Sequence, residues 1–86
     1  MVVRRLGPGD DTFRATPLND SIFGEGGNDI IYGDAGDDML SGGTGNDRLF
    51  GGAGRDKLFG GANSDTCNGG PGTDTASGCE SKVSVP

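Results

Sequence analysis

The 86-residue chain contains no histidine and only two cysteines, Cys67 and Cys79. Without histidine no Ser-His-Asp arrangement can form, and two cysteines alone cannot build a four-ligand zinc site. Hydrophobic residues make up 30 per cent, and no stretch approaches the length of a membrane-spanning helix. Met1-Val2-Val3-Arg4-Arg5-Leu6 lacks the apolar run of a signal peptide, so an export signal is not visible here. Seven Lys and Arg against thirteen Asp and Glu leave a net charge of −6 and no basic stripe, which argues against nucleic-acid binding. So little apolar content in so short a chain also excludes an ordinary hydrophobic core, and some other stabiliser is required. With 19 glycines and four prolines, composition alone would describe a disordered chain.

A strict period reverses that description. Aspartate occurs at every ninth position: Asp11, Asp20, Asp29, Asp38, Asp47, Asp56, Asp65 and Asp74. A single site does not need so many identical carboxylates at fixed spacing, but a stack of identical turns does. Taken from Leu6, nine-residue units run to Ser77 with Asp sixth in each, flanked by residues 1–5 and by a C-terminal cap and tail at 78–86. The eighth position is an apolar row: Phe13, Ile22, Ile31, Leu40, Leu49, Leu58, Cys67 and Ala76. Glycines recur at the first and fourth positions, giving G-G-x-G-x-D-x-U-x, with U a large apolar residue.

The spacing carries a physical prediction. Glycines allow positive φ in a tight turn, and the last three residues form a short strand with U facing inward. Two units complete one coil, so odd and even turns stack on opposite edges. Asp11, Asp29, Asp47 and Asp65 then form one column, and Asp20, Asp38, Asp56 and Asp74 the other. At a parallel-strand spacing of about 4.8 Å, neighbouring carboxylates repel by roughly 3 to 4 kcal/mol at an effective dielectric near 20. A hard divalent cation between turns reverses that repulsion. With no His and few Cys, zinc is unsuited, and Mg²⁺ demands a tighter octahedron, so Ca²⁺ with carboxylate and carbonyl oxygens is the expected ion.

These residues resemble the repeats-in-toxin (RTX) family, most closely over Gly24 to Phe59, as in Gly-Gly-Thr-Gly-Asn-Asp-Arg-Leu-Phe at 42–50. The resemblance implies an all-β, right-handed parallel β-roll of about four coils, in which the first six residues of each unit form a calcium turn. It makes all eight Asp ligands by position, together with backbone carbonyls around Gly24, Gly27, Gly33, Gly36, Gly42, Gly45, Gly51, Gly54, Gly60, Gly69 and Gly72. Four turns per edge enclose three intervals, so four to six Ca²⁺ are expected. The first units depart from the pattern at Leu6, Ala15, Thr16 and Leu18, and the seventh at Asn63; Asp11 and Asp20 are therefore expected to bind last and fray first.

A solenoid must cap its last coil, and Cys67 with Cys79 is read as a disulfide doing so. The alternative is a small buried hydrophobe at 67 and a free thiol at 79. A disulfide would match an oxidising, calcium-rich compartment, so the chain reads as a secreted or extracellular module of a larger protein, linked to a catalytic or adhesive domain. Positions seven and nine face outward. They bring Ile30, Tyr32 and Phe50 together as a surface for self-association or docking, although strand propensity alone accounts for them. The same aromatic patch leaves open an accessory carbohydrate-binding role, and Arg48, Arg55 and Lys57 a polyanion-binding one, although three basic residues in an acidic array also read as a solvated face. Carboxylates repeated this often have no distinguished acid-base pair, so no catalytic residue is assigned.

Overall fold

The computed structural model describes residues 3–70, 74–79 and 81–83. Every element among them is a strand of three residues: β1 (Val3–Arg5), β2 (Thr12–Arg14), β3 (Ser21–Phe23), β4 (Ile30–Tyr32), β5 (Met39–Ser41), β6 (Arg48–Phe50), β7 (Lys57–Phe59), β8 (Thr66–Asn68), β9 (Thr75–Ser77) and β10 (Ser81–Val83). The strands are parallel and form two sheets, ordered β1-β3-β5-β7-β9 and β10-β8-β6-β4-β2. Pairing joins residues 18 apart, as in Ile31 with Leu49 and Ile22 with Leu40. Two nine-residue units thus make one coil, and the chain is a β-solenoid of about four turns. The two edge columns expected from the sequence follow directly from this register.

Each strand is short because its flanks are turns. Position eight points into the space between the sheets, and the neighbours on either side point out. Ile22, Ile31, Leu40, Leu49, Leu58 and Cys67 are buried in a single file, with Leu6, Phe13, Ala76 and Cys79 packed against its ends. The molecule measures 28 × 25 × 14 Å, too thin for more than this one apolar layer. Main-chain bonds continue past the strands at both ends, for example from Gly42 N–H to the Phe59 carbonyl and from Arg48 N–H to the Asp29 carbonyl, so the turns stack in register with the sheets.

Both flanks add a strand to the array. At the N-terminus β1 extends the first sheet, and Arg4, in register with Ile22, lies 5.4 Å from the Phe13 ring centroid, closing the apolar file with a cation over an aromatic face. Arg5 and Arg14 repeat one clamp on the two edges. Arg5 approaches the Phe23 ring and Glu25, and Arg14 approaches the Tyr32 ring and Asp34. At the C-terminus β10 pairs with β8 at a separation of 15 residues rather than 18, Ser81 lying against Thr66. Cys67 and Cys79 are bonded across a Cα–Cα distance of 6.0 Å, tying the shortened last coil to the core.

Candidate metal-binding turns

The glycine turns are shaped by close backbone approach. Gly45, at φ +97°, faces the Gly27 carbonyl one coil earlier, where a side chain would collide with it. Asn63 replaces the equivalent glycine in the seventh unit and still takes φ +72°, within the reach of Asn in left-handed backbone. The departure noted at Asn63 therefore leaves the turn's path intact. Positions two and four both have positive φ in the turns that begin at Leu6, Gly24, Gly33, Gly42, Gly51 and Gly60.

The aspartates sit inside this framework, not on its rim. Asp20, Asp29, Asp38, Asp47, Asp56, Asp65 and Asp74 are all buried. One carboxylate oxygen, Oδ1, accepts the backbone N–H of the aspartate one coil earlier at 2.7–2.9 Å, in two unbroken columns: Asp11 to Asp29 to Asp47 to Asp65, and Asp20 to Asp38 to Asp56 to Asp74. The second oxygen, Oδ2, of Asp11, Asp29, Asp38, Asp47, Asp56 and Asp74 is buried with no hydrogen-bond partner. Leaving a buried carboxylate oxygen unsatisfied is costly, and oxygens so placed along both columns suit a cation.

The surroundings of these oxygens suit a hard ion. At Gly24 an added methyl would come within 2.7 Å of Asp29 Oδ2 and 2.8 Å of the Gly42 carbonyl oxygen, and at Gly33 the same distances separate it from Asp38 Oδ2 and the Gly51 carbonyl oxygen. First-position glycines thus leave open an inner corner lined by the turn's own carboxylate and a carbonyl of the next coil. Gly42, Gly51, Gly60 and Gly69 are buried at the same position. Gly27, Gly36, Gly45 and Gly54 stack their fourth-position carbonyls, and Gly72 lies outside the described residues. Among those residues no three His, Cys, Asp and Glu side chains converge, so side chains alone would not complete the six to eight oxygens Ca²⁺ takes. The carbonyls must contribute.

Electrostatics agree. Burial pushes Asp38 and Asp47 up to about 6 and Asp56 up to about 7, from an ordinary 3.8, and raises Asp29 as well. The N–H of the preceding aspartate opposes the shift, and repulsion along the column adds to it. Desolvation, more than the neighbour repulsion expected from spacing, is the leading cost of these carboxylates.

A second ladder escaped the sequence reading. The fifth residue of each of the first five units accepts through its side-chain Oδ1 the N–H of the fifth residue one coil later: Asp10 from Asn28, Asn19 from Asp37, Asn28 from Asn46, Asp37 from Arg55 and Asn46 from Ser64, at 2.8–3.0 Å. It runs opposite in sense to the buried Asp columns. The signal was present as Asp or Asn at positions 10, 19, 28, 37 and 46, next to the stronger sixth-position period.

One turn differs. Asp20 is held by Thr16, whose N–H donates to Oδ2 at 3.0 Å and whose hydroxyl lies 2.9 and 3.0 Å from Oδ2 and Oδ1. On the outer face, Tyr32 and Phe50 stack at 4.9 Å with an interplanar angle of 12°, and Arg14 covers the other side of Tyr32 at 4.9 Å. Tyr32 thus has both ring faces engaged within the roll.

A family model described as RTX calcium-binding nonapeptide repeat (4 copies) matches residues 6–40 and 41–76. No curated protein and no solved structure matches the chain.

Proposed function

Since the chain belongs to the RTX calcium-binding nonapeptide repeat family, we propose that it is a structural module that folds on binding Ca²⁺, has no catalytic role of its own, and serves a larger secreted protein. The observation that carries this reading is the row of buried, unpartnered Oδ2 atoms beside open glycine corners. The carboxylates whose Oδ2 is left unpartnered would be ligands, and the carbonyls of the first and fourth positions would supply the remaining oxygens. Bound calcium would supply the positive charge that makes burial of these carboxylates favourable.

Affinities of about 10⁻⁴ to 10⁻³ M, usual for extracellular modules, suffice. Tenfold excess calcium then adds about 1.4 kcal/mol per site, or roughly 7 kcal/mol over five sites, comparable to the whole stability of a small domain. The single apolar file could not supply that alone. The Cys67–Cys79 bond and the millimolar calcium requirement both fit an extracellular setting. Circular dichroism with and without EGTA tests the reading: a β signal in millimolar calcium that collapses in chelator is expected, and an unchanged signal would refute it.

A further inference from the structure

The Ala15–Asp20 turn occupies the same place in the period as its neighbours, yet three independent features separate it from them. Its first position carries a methyl: Ala15 is buried, where Gly33 and Gly51 on the same edge leave an open corner. Its backbone takes another path, since neither Thr16 nor Leu18 has positive φ, while the second and fourth positions of the turns on either side do. Thr16 precedes Pro17, and a β-branched residue before proline is driven towards extended backbone. Third, the Asp20 carboxylate is satisfied within its own turn by the Thr16 N–H and hydroxyl, and that hydroxyl in turn accepts the Leu18 N–H at 3.3 Å.

Departure from the consensus does not by itself produce this. The first turn also lacks a leading glycine, having Leu6, yet Asp11 Oδ2 is buried and unpartnered like those of the central turns. The difference is the threonine.

We propose that Ala15–Asp20 is a metal-free clasp: Thr16 takes the place of a cation on the Asp20 carboxylate, and the interval between this turn and Gly33–Asp38 takes no calcium. Of the six intervals between complete turns, the odd edge then holds three ions and the even edge two. The clasp gives the N-terminal coil a turn that is complete before calcium arrives, beside the Arg5 and Arg14 clamps that join the same coil to the next. It is a built-in starting point from which the ion-dependent turns can stack.

The inference rests on the calcium reading, and the test separates the two. Bound calcium per chain is counted by equilibrium dialysis and elemental analysis at saturating calcium. Asp20→Asn keeps an oxygen for Thr16 but removes the charge an ion needs, and should bind as many ions as the wild type. Asp38→Asn should bind at least one fewer. A chain with Ala15→Gly, Thr16→Gly and Leu18→Gly, which restores the glycine framework, should gain one ion. Loss of an ion in Asp20→Asn, or no gain in the restored chain, overturns the clasp while leaving the calcium reading intact. A wild type that binds no calcium fails the calcium reading itself. Should Asp20→Asn not fold, the restored chain decides.

Discussion

The central turns and the second turn present the same aspartate at the same place in the same period, and satisfy it in opposite ways. In the turns beginning at Gly24, Gly33, Gly42 and Gly51, one carboxylate oxygen is spent on the previous coil and the other is left buried beside an empty corner. In the second turn the chain itself supplies the donors, through Thr16. On the proposed reading, a repeat unit is made dependent on an ion or independent of it by the residues at its first and second positions. On that reading, the dependent version couples folding to the medium. The independent version is always complete.

The largest break in that comparison is acid. Asp38, Asp47 and Asp56 have folded-state pKa values raised to about 6–7 by burial, so the metal-free roll binds more protons than the unfolded chain. The resulting stability is fully present below the ordinary carboxylate value and is lost as pH rises through 6 to 7. In protein stripped of calcium beforehand and kept in calcium-free buffer, the β signal by circular dichroism is expected to be stronger at pH 4 than at pH 7.5. With calcium present the direction reverses, because protons then compete with the ion; a metal-free chain equally unfolded at both pH values would contradict the burial argument.

Next in size is Asp47→Ala. It removes the acceptor of the buried Asp29 N–H, at about 1–3 kcal/mol, together with the carboxylate oxygen at the Gly42 corner. The calcium midpoint of folding should rise several-fold and the ion count fall. Asp11→Ala should cost much less, because among the described residues no N–H of another aspartate bonds to the Asp11 carboxylate. Equal midpoints for the two variants would contradict the column geometry.

Cys79→Ser opens a 12-residue separation closed by the disulfide, which chain entropy values at about 3 kcal/mol. Its thermal midpoint in calcium should fall, and hydrogen exchange should quicken in β8 while the β2–β4 pair is unchanged. The smallest effect is expected from Arg14→Gln. It removes an exposed 3.4 Å ion pair with Asp34 and a cation over Tyr32, each worth no more than about 1 kcal/mol. A thermal shift of a few degrees or less, confined to the N-terminal coil, is the expected result.

Much of this molecule is legible in one dimension. The nine-residue spacing from Asp11 to Asp74 and the in-phase row from Phe13 to Ala76 lead to the parallel pairing, the two columns and the single apolar file. Less legible were the strands in both flanks, since Val3–Arg5 and Ser81–Val83 carry no consensus residue and pair only because the neighbouring coils offer them an edge. The fifth-position ladder was hidden in a variable position that Asp and Asn fill for a reason visible only once the coils are stacked.

The sequence by itself determined the period, and with it the fold class, the stacking of like on like and the oxygen-rich chemistry of the turns, because a repeat whose units pair with their own copies leaves few other arrangements. Only the tertiary structure decided which carboxylates keep a buried oxygen without a hydrogen-bond partner. That depends on where a second oxygen points after the first has been used, on whether a corner holds a methyl, and on the sign of φ at two turn residues. Thr16 and Gly43 occupy the same column of the alignment of units, and only in three dimensions does one of them close the turn on its own aspartate.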